Sequence, residues 1–229
     1  MKKIAKNPDK NLRPSHPGML IHLADFEPVR LKNTFVPKIQ AQQQSNTIYA
    51  EFKQRNIRVA DNWPLAGSEP DHENYQAMLT RYFKQHTDPL LVVHPQKPLK
   101  EVKRLVHLTD LRYCDTGILQ PMTNLAKSLG ADIFIVHISV DGLPDMENNY
   151  AEDFLKSEIL PRMYYENVVL INLRKKDLLN DLAMSMDIID PDIISLFWKR
   201  HSLFDKLFMN SDLRRAVYTR APLLLFPSV

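Results

Sequence analysis

The sequence predicts an α/β protein in which a parallel sheet is covered by helices on both faces. Strand and helix patterns alternate strictly from residue 105 onwards, and the connections between them are short. Two strand patterns, Leu90–Val93 and Pro222–Phe226, are apolar at nearly every position. Runs of this kind suit strands that are buried on both faces. Alternation with short connections favours parallel strands joined by right-handed crossovers.

The second half of the chain has the clearest pattern. Apolar residues at helical spacing predict helices over 118–129, 150–165 and 178–189, and an amphipathic helix follows the basic turn at 199–201. Gly130 is expected at the C′ position of the first helix, where it would end it. Five strand segments separate these helices: Leu105–Leu108, Ile133–Ile138, Val168–Leu173, Ile193–Phe197 and Pro222–Phe226.

Fewer strands and helices are predicted in the first half of the chain than in the second. Residues 1–17 carry three prolines and several charges and are expected to form a loosely docked lead-in. The remaining segments predict strands at Met19–Phe26, Ile57–Asp61 and Leu90–Val93 and helices over 29–44, Thr47–Asn56 and 75–83, with a linker at 95–100.

Composition and charge exclude several classes of protein. The 229 residues carry a net charge of +3, and no run of Lys and Arg exceeds three, so a nucleic-acid partner is not expected. A single cysteine, Cys114, excludes an intrachain disulfide and fits a reducing compartment. No apolar run approaches the roughly 18 residues of a membrane span, and no signal peptide is evident. We therefore expect a cytoplasmic protein with no membrane contact.

The two halves of the chain share landmarks that indicate an internal repeat. The segment LIHLAD at 20–25 matches LVHLTD at 105–110 at an offset of 85, and DPLLV at 88–92 matches APLLL at 221–225 at an offset of 133. The difference between the two offsets, 48 residues, is close to the length of the strand–helix–strand unit at 131–176. The first copy is therefore expected to lack that unit.

This interpretation divides the chain into the lead-in at 1–17, a truncated domain at 18–97 and a complete domain at 101–229. Thr47–Asp61 would then correspond to Leu178–Phe197. It requires the first strand, Met19–Phe26, to lie beside Ile57–Asp61. The alternative is one irregular domain with a mixed sheet.

The second half resembles the universal stress protein family, in its tandem two-copy form. The segments that carry the resemblance are VKRLVHLTDL, LAKSLGADIFIVHIS, DPDIISLF and RRAVYTRAPLLLF. The resemblance extends over 102–229 and covers 18–95 in part. It implies an adenine nucleotide alpha hydrolase-like fold with a parallel five-stranded sheet of order 3-2-1-4-5, and a reduced copy of order 1-4-5.

The same resemblance implies how the two copies meet. In the family the fifth strands of two copies pair across a dimer axis. Here Leu90–Val93 and Leu223–Phe226 are the corresponding strands, so we expect them to pair within one chain. A homodimer and an unidentified protein partner stay open.

The resemblance also implies where a nucleotide would bind. Members that bind ATP carry an Asp after the first strand, which Asp110 matches beside Thr109. They carry a Val in the second strand near the adenine, which Val136 matches, and a Ser that ends the phosphate loop, which Ser211 matches. These four residues are the candidate cofactor site. For Asp110, capping of the following segment is an equally good interpretation.

The phosphate loop of the family departs from its pattern in this sequence. Three glycines are expected there, and Phe197, Arg200 and Asn210 stand in their places. Glycine lets backbone N–H groups approach phosphate oxygens at positive φ, so the usual mode of ATP binding is not expected. The basic turn containing Lys199 and His201 either meets an anion through its side chains or is a solvated surface.

Other residues have structural interpretations. His22 and His107 recur at equivalent strand positions and are expected to hydrogen-bond a neighbouring strand, and no histidine or cysteine has the spacing of a metal site. Cys114 is expected to be an inert thiol. Trp63 and Trp198 follow predicted strands, where they could shape or fill a ligand crevice.

These observations favour a non-catalytic, cytoplasmic stress-response protein with a degenerate nucleotide site and no bound cofactor. It would act through protein contacts or through a ligand that does not use the phosphate loop. The sequence has no G-x-S-x-G nucleophile motif. The alternative is a switch that binds ATP or AMP through the second domain, and a weaker alternative is a catalytic member of the wider nucleotide-binding α/β group.

Overall fold

The structure, a computed structural model, describes residues 19–21, 47–61, 72–93, 99, 101–111, 116–139, 146–173, 178–198, 203, 207, 217 and 220–227. Its strands form a single mixed sheet of eight strands in the order β1-β6-β5-β4-β7-β8-β3-β2. The strands are β1 (Met19–Ile21), β2 (Arg58–Asp61), β3 (Leu90–Val93), β4 (Arg104–Thr109), β5 (Asp132–Ile138), β6 (Val168–Leu173), β7 (Ile193–Trp198) and β8 (Leu223–Pro227).

Helices cover both faces of this sheet, as predicted. Successive strand residues point to opposite faces and are apolar on both, so each face forms a core with the helices that cover it. We call the two faces face 1 and face 2. Face 1 carries α2 (His72–Gln85), α6 (Leu178–Ile189) and the helical residues Leu203, Leu207 and Val217. Face 2 carries α1 (47–54), α3 (Thr116–Leu129), α4 (Asn148–Phe154) and α5 (Leu160–Met163). Within the described ranges, no helix has the length and apolar character needed to cross a membrane.

Five neighbouring strands of the sheet are parallel and reproduce the order implied by the resemblance. They run β6-β5-β4-β7-β8, and counted from β4 as the first strand this order is 3-2-1-4-5. The prediction of a parallel five-stranded sheet is wrong for the sheet as a whole, because three further strands extend it to eight and one junction is antiparallel.

The antiparallel junction is the pairing expected between the two halves of the chain. Leu90 lies opposite Leu225, Leu91 opposite Leu224 and Val92 opposite Leu223. All of these side chains are buried, since each strand projects apolar residues to both cores. We refer to this β3–β8 junction as the seam.

The predicted position of the first strand is wrong. β1 pairs in parallel with β6, with Met19 opposite Val169, whereas β2 lies at the other edge of the sheet beside β3. β6 is an apolar strand, and an apolar strand left at a sheet edge would expose unpaired backbone groups. β1 covers part of that edge. A self-contained unit of order 1-4-5 within 18–97 is therefore not formed.

The helix before β2 departs from the repeat in the same way. The buried side chains of α1, Ile48 and Phe52, belong to the face 2 core, whereas α6 packs on face 1. The correspondence of Thr47–Asp61 with Leu178–Phe197 is therefore wrong for the helix. The β2–α2–β3 unit and the segment from β7 to β8 share one feature: β2 and β3 are parallel neighbours, as are β7 and β8, and α2 packs on face 1 with the helical residues Leu203, Leu207 and Val217.

The helix predicted over 150–165 is divided by a π-helical turn. α4 ends at Phe154, the π-helical turn spans Leu155–Ile159, and α5 follows. Pro161 lacks an N–H group, and its ring would clash with the carbonyl of an uninterrupted α-helix four residues earlier. A widened turn directly before the proline avoids that clash. The predicted helix over 29–44 lies outside the described residues.

Gly130 ends α3 in the left-handed region, as predicted, with φ of 63°. A Cβ atom added there would meet nothing within 4 Å, so the backbone conformation alone determines the effect of a substitution. We expect Gly130→Ala to lower the free energy of unfolding by about 1 kcal/mol. Gly130→Asn should cost less, because Asn tolerates this region better. Chemical denaturation of the three proteins measures the difference, and equal stabilities would contradict it.

Candidate functional site

The carboxyl ends of β4 and β7 lie side by side at the point where the order of the strands reverses, which we call the switch point. The chain passes from β4 to β5 on one side of β4, and after β6 it returns to β7 on the other side. In open α/β sheets, ligands bind in the crevice at such a switch point. Thr109 is the last residue of β4 and Asp110 follows it, so these two candidate residues lie at the carboxyl end of the strand, as predicted.

The turn after β4 is held in an uncommon conformation. Leu111 has φ of 54°, a region that costs a residue with a Cβ atom about 1 kcal/mol. Its N–H donates a hydrogen bond of 3.0 Å to Thr109 Oγ1, and its side chain packs against the face 2 core. Thr109 therefore shapes the turn that presents Asp110. Strain of this kind is found at ligand sites as well as at tight turns.

Val136 lies beside the turn but is not open to a ligand. It pairs with Leu108 of β4 in the strand register, and its side chain is fully buried in the face 1 core. β5 continues for two residues beyond it to Ile138. The structure thus places Val136 inside the sheet rather than at its edge. Ser211 and the basic turn at 199–201 lie outside the described residues, as do Asn210, His22, Trp63 and Cys114.

Phe197 and Trp198 end β7 and point to opposite faces of the sheet. Phe197 lies opposite Phe226 of β8 in the parallel ladder and packs against the face 2 core. Trp198 packs in the face 1 core and stacks on Phe83 of α2, with ring centroids 4.9 Å apart and an interplanar angle of 25°. Phe197, which stands where the family pattern has the first glycine of the phosphate loop, is therefore part of a strand.

His107 has the structural role expected from the sequence. Its Nδ1 atom lies 2.9 Å from Ser195 Oγ on the neighbouring strand β7, and Ser195 Oγ in turn lies 3.5 Å from Met122 Sδ of α3. Burial lowers the pKa of His107 to about 4, more than hydrogen bonding to Ser195 raises it. The imidazole is therefore neutral at physiological pH.

A second polar network lies at the carboxyl ends of β5 and β6. His137 Nδ1 is 2.7 Å from Asn172 Oδ1, and Asn172 Nδ2 donates to Met146 O at 2.8 Å and to Asn148 Oδ1 at 2.9 Å. This network was not predicted from the sequence. A signal was present, because His137 and Asn172 are polar residues that each follow a run of apolar strand residues and stand one residue before the end of the strand.

A cluster of charged residues lies at the amino ends of the parallel strands, opposite the switch point. Asp192 Oδ2 accepts hydrogen bonds from the backbone N–H groups of Lys103 at 2.8 Å and Arg104 at 2.9 Å. Burial raises the pKa of Asp192, and these hydrogen bonds with the Arg104 charge oppose the rise. Arg104 also contacts Asp190 at 3.0 Å. The cluster ties the amino ends of β4 and β7 together, away from the switch point.

Neither network has the composition of a metal centre. Among the residues that the structure describes, no group of three or more His, Cys, Asp or Glu side chains could hold a metal ion. The polar residues named above at the carboxyl ends of β4, β5 and β6, Thr109, Asp110, His137 and Asn172, supply hydroxyl, carboxylate, imidazole and amide groups. Such a set suits hydrogen bonding to a neutral or weakly charged group.

Comparison with known proteins gives structural likeness only. No protein-family model and no curated protein matches the sequence. The chain is similar to a universal stress protein from Archaeoglobus fulgidus, with 13% identity, a TM-score of 0.46, and 79% of this chain and 64% of that chain covered. It is also similar to a putative universal stress protein from Pseudomonas aeruginosa, with 12% identity, a TM-score of 0.44, and 79% and 66% covered.

A third similar structure is that of a universal stress protein in complex with cAMP, with 12% identity, a TM-score of 0.35, and 56% of this chain and 97% of that chain covered. The chain spans less than two thirds of the lengths of the Archaeoglobus and Pseudomonas proteins. All three TM-scores lie below 0.5. The likeness to the family therefore rests on the sequence segments and the strand order.

Proposed function

We propose that this chain is a non-catalytic regulatory protein of the universal stress type, which acts in the stress response. It would act through protein contacts or through a ligand that does not use the family's phosphate loop. The observation that carries the proposal is the position of Phe197. It lies in the β7–β8 ladder, where the family pattern requires the first glycine of that loop.

The surroundings of Phe197 support a degenerate nucleotide site. A glycine at this point would leave room for the backbone to approach a phosphate, whereas Phe197 fills space against the face 2 core. The adjoining Trp198 is only 9% exposed and is held by Phe83. The side chain expected near the adenine, Val136, is buried in the face 1 core.

The absence of catalysis is supported by the burial of a pair of residues, within the described ranges, that resembles a nucleophile and its base. In the described part of the chain, His107 and Ser195 are at hydrogen-bond distance. Their residues are 5% and 0% exposed, respectively. Nucleophilic catalysis requires the hydroxyl to reach a substrate. This pair therefore belongs to the core.

Calorimetric titration of the purified chain with ATP and AMP tests the proposal. We expect no stoichiometric complex, no nucleotide carried through purification in a native mass spectrum, and no phosphate release from ATP. The physical reason is that backbone N–H groups cannot reach the phosphates where Phe197 replaces glycine.

Stoichiometric binding would overturn the degenerate site and favour the alternative of an ATP or AMP switch. In that case Asp110→Asn should weaken binding roughly tenfold or more, because a hydrogen bond to a charged group is worth about 1.5–3 kcal/mol. Asp153→Asn is the matched control, since Asp153 is exposed on α4. Equal losses in both variants would contradict a role of Asp110 in the site.

A further inference from the structure

Two strongly exposed tyrosines lie on the helical segment formed by α4, the π-helical turn and α5, which we call the α4–α5 segment. One side of the segment is buried in the face 2 core through Ala151, Leu155, Ile159 and Met163. Its solvent side carries Tyr150 and Tyr164, which are 61% and 79% exposed. Within the described ranges, these are the most exposed of the large hydrophobic side chains.

Tyr164 occupies a position that the backbone disfavours for its residue type. It ends α5 with φ of 49° and ψ of 44°, and its N–H donates a hydrogen bond of 3.1 Å to Leu160 O. Glycine or asparagine is common at this left-handed position, because a Cβ atom is crowded there. Neither the backbone conformation nor burial therefore stabilises a tyrosine at this position. Residues held in such conformations are candidates for a functional role.

Tyr150 is supported by a neighbouring ring. Its ring centroid lies 6.3 Å from that of Phe154, one helical turn later, with an interplanar angle of 24°. Phe154 packs partly against the face 2 core. The Tyr150 ring is therefore held against the segment while most of its area stays in contact with solvent. A supported aromatic ring gives contact area to a partner at a low cost in conformational entropy.

The same segment carries an excess of negative charge. Residues 147–166 contain five carboxylates and two basic side chains, a net charge of −3, whereas the whole chain has a net charge of +3. Both basic side chains, Lys156 and Arg162, form ion pairs with glutamates one turn earlier. Asp153 and Glu166 are exposed, three and two residues after the two tyrosines. The solvent side therefore combines aromatic rings with carboxylates.

We infer that the solvent side of the α4–α5 segment is a docking surface for a basic segment of a partner protein, whose Arg or Lys side chains meet the rings of Tyr150 and Tyr164. A cation is attracted to the face of a tyrosine ring, and the carboxylates complement its charge. Residues 150–164 extend over about 20 Å, the length of about six residues of extended chain. The inference rests on the proposed function, which expects protein contacts.

A second copy of this chain fits the surface less well. A two-fold dimer brings the same surface of both copies together, so the negative charge of one segment would face the negative charge of the other. Like charges placed opposite each other at an interface lower the affinity. The charge of the segment therefore favours a basic partner over self-association.

Selection from a phage-displayed library of random peptides of about seven residues, panned on the chain without nucleotide, tests this surface. We expect the selected sequences to be enriched in Arg and Lys relative to the unselected library. In fluorescence polarisation, the selected peptides should bind Tyr150→Ala and Tyr164→Gly at least about tenfold more weakly than the wild-type chain. Their affinity should also fall as the salt concentration rises, because salt screens exposed charges.

Tyr164→Gly separates binding from folding. Glycine adopts the left-handed conformation readily, and the Tyr164 ring is mostly exposed. The urea midpoint of this variant should therefore be no lower than that of the wild type. Tyr150→Phe should retain binding, because it keeps an aromatic face. Leu179→Ala is the matched control, since it removes an exposed apolar side chain from α6 and should leave the affinity unchanged.

Two results of the selection contradict the inference: peptides without enrichment in Arg and Lys, and peptides that bind both tyrosine variants as tightly as the wild type. A wild-type dimer in sedimentation that Tyr164→Gly dissociates would also overturn it, because the surface would then join two copies of this chain. The proposed function fails on a different result, stoichiometric binding of ATP or AMP. Failure of the surface and failure of the proposed function are therefore distinguishable.

Discussion

Leu224→Ala is expected to lower the free energy of unfolding by about 2–5 kcal/mol, the range observed when a fully buried leucine is truncated. Leu224 is 0% exposed. It lies between Leu91 of β3 and Ser195 of β7 in the ladder, so its side chain packs at the centre of the seam. Urea denaturation monitored by circular dichroism measures the loss. Leu179→Ala is the matched control, because Leu179 is 38% exposed on α6 and should change stability by less than about 0.5 kcal/mol.

The same variant tests the seam itself when it is combined with Leu91→Ala. Residues in direct contact show coupling energies of about 0.5–3 kcal/mol, whereas distant residues act additively. We therefore expect the loss in the double variant to differ from the summed losses of the single variants by at least about 0.5 kcal/mol. Strict additivity would mean that β3 and β8 are not paired in solution.

The stability of the protein should fall by about 3 kcal/mol between pH 6.5 and pH 4 because of His107 alone. Burial lowers the folded-state pKa of this histidine from 6.5 to about 4, and each pKa unit corresponds to 1.36 kcal/mol. In this range the unfolded chain binds a proton that the folded chain does not. The contribution is therefore fully present above pH 6.5 and is lost as the pH falls toward 4.

The effect of His107 is isolated by comparison with His107→Gln, which keeps a side chain able to hydrogen-bond Ser195 but has no proton to gain. The difference in unfolding free energy between the two proteins should change across this pH range, while the contributions of other groups cancel. A difference that stays constant from pH 7 to pH 4 would contradict the buried, neutral state of His107.

Most helices and strands could be predicted because their patterns are local. β6 and α6 have the predicted bounds, since an apolar run and an apolar stripe at helical spacing are each complete within a few residues. Gly130 likewise marked the end of α3. The seam could be predicted because both of its strands are apolar on both faces and therefore need neighbours on both sides.

The position of β1 could not be predicted because it depends on which strand edge is left uncovered. Its sequence resembles that of β4, but likeness to β4 does not determine its neighbour. β6 was the available apolar edge, and β1 pairs there. The pairing expected at the seam is therefore observed, whereas the position expected for the first strand is wrong.

The candidate site could be predicted only where it coincides with a strand end. Thr109 and Asp110 lie where β4 ends, and strand ends in a parallel sheet mark the ligand edge. Val136 lies within β5, whose predicted end at Ile138 is the observed one, and its side chain is buried in the face 1 core. The hydrogen bonds of Asn172 could not be predicted, since their partners lie on elements far apart in the sequence.

The pairing of β1 with β6 and of β3 with β8 has a consequence for the order of folding. Each pair joins a segment of the first half of the chain to one synthesised much later, with Met19 opposite Val169 and Leu91 opposite Leu224. Contacts between distant segments slow folding because a long loop must close before they form. β1 and β3 are therefore synthesised before their partners β6 and β8, and the edges that these partners cover stay exposed until the partners are made. Exposed apolar edges make the nascent chain a candidate for chaperone binding.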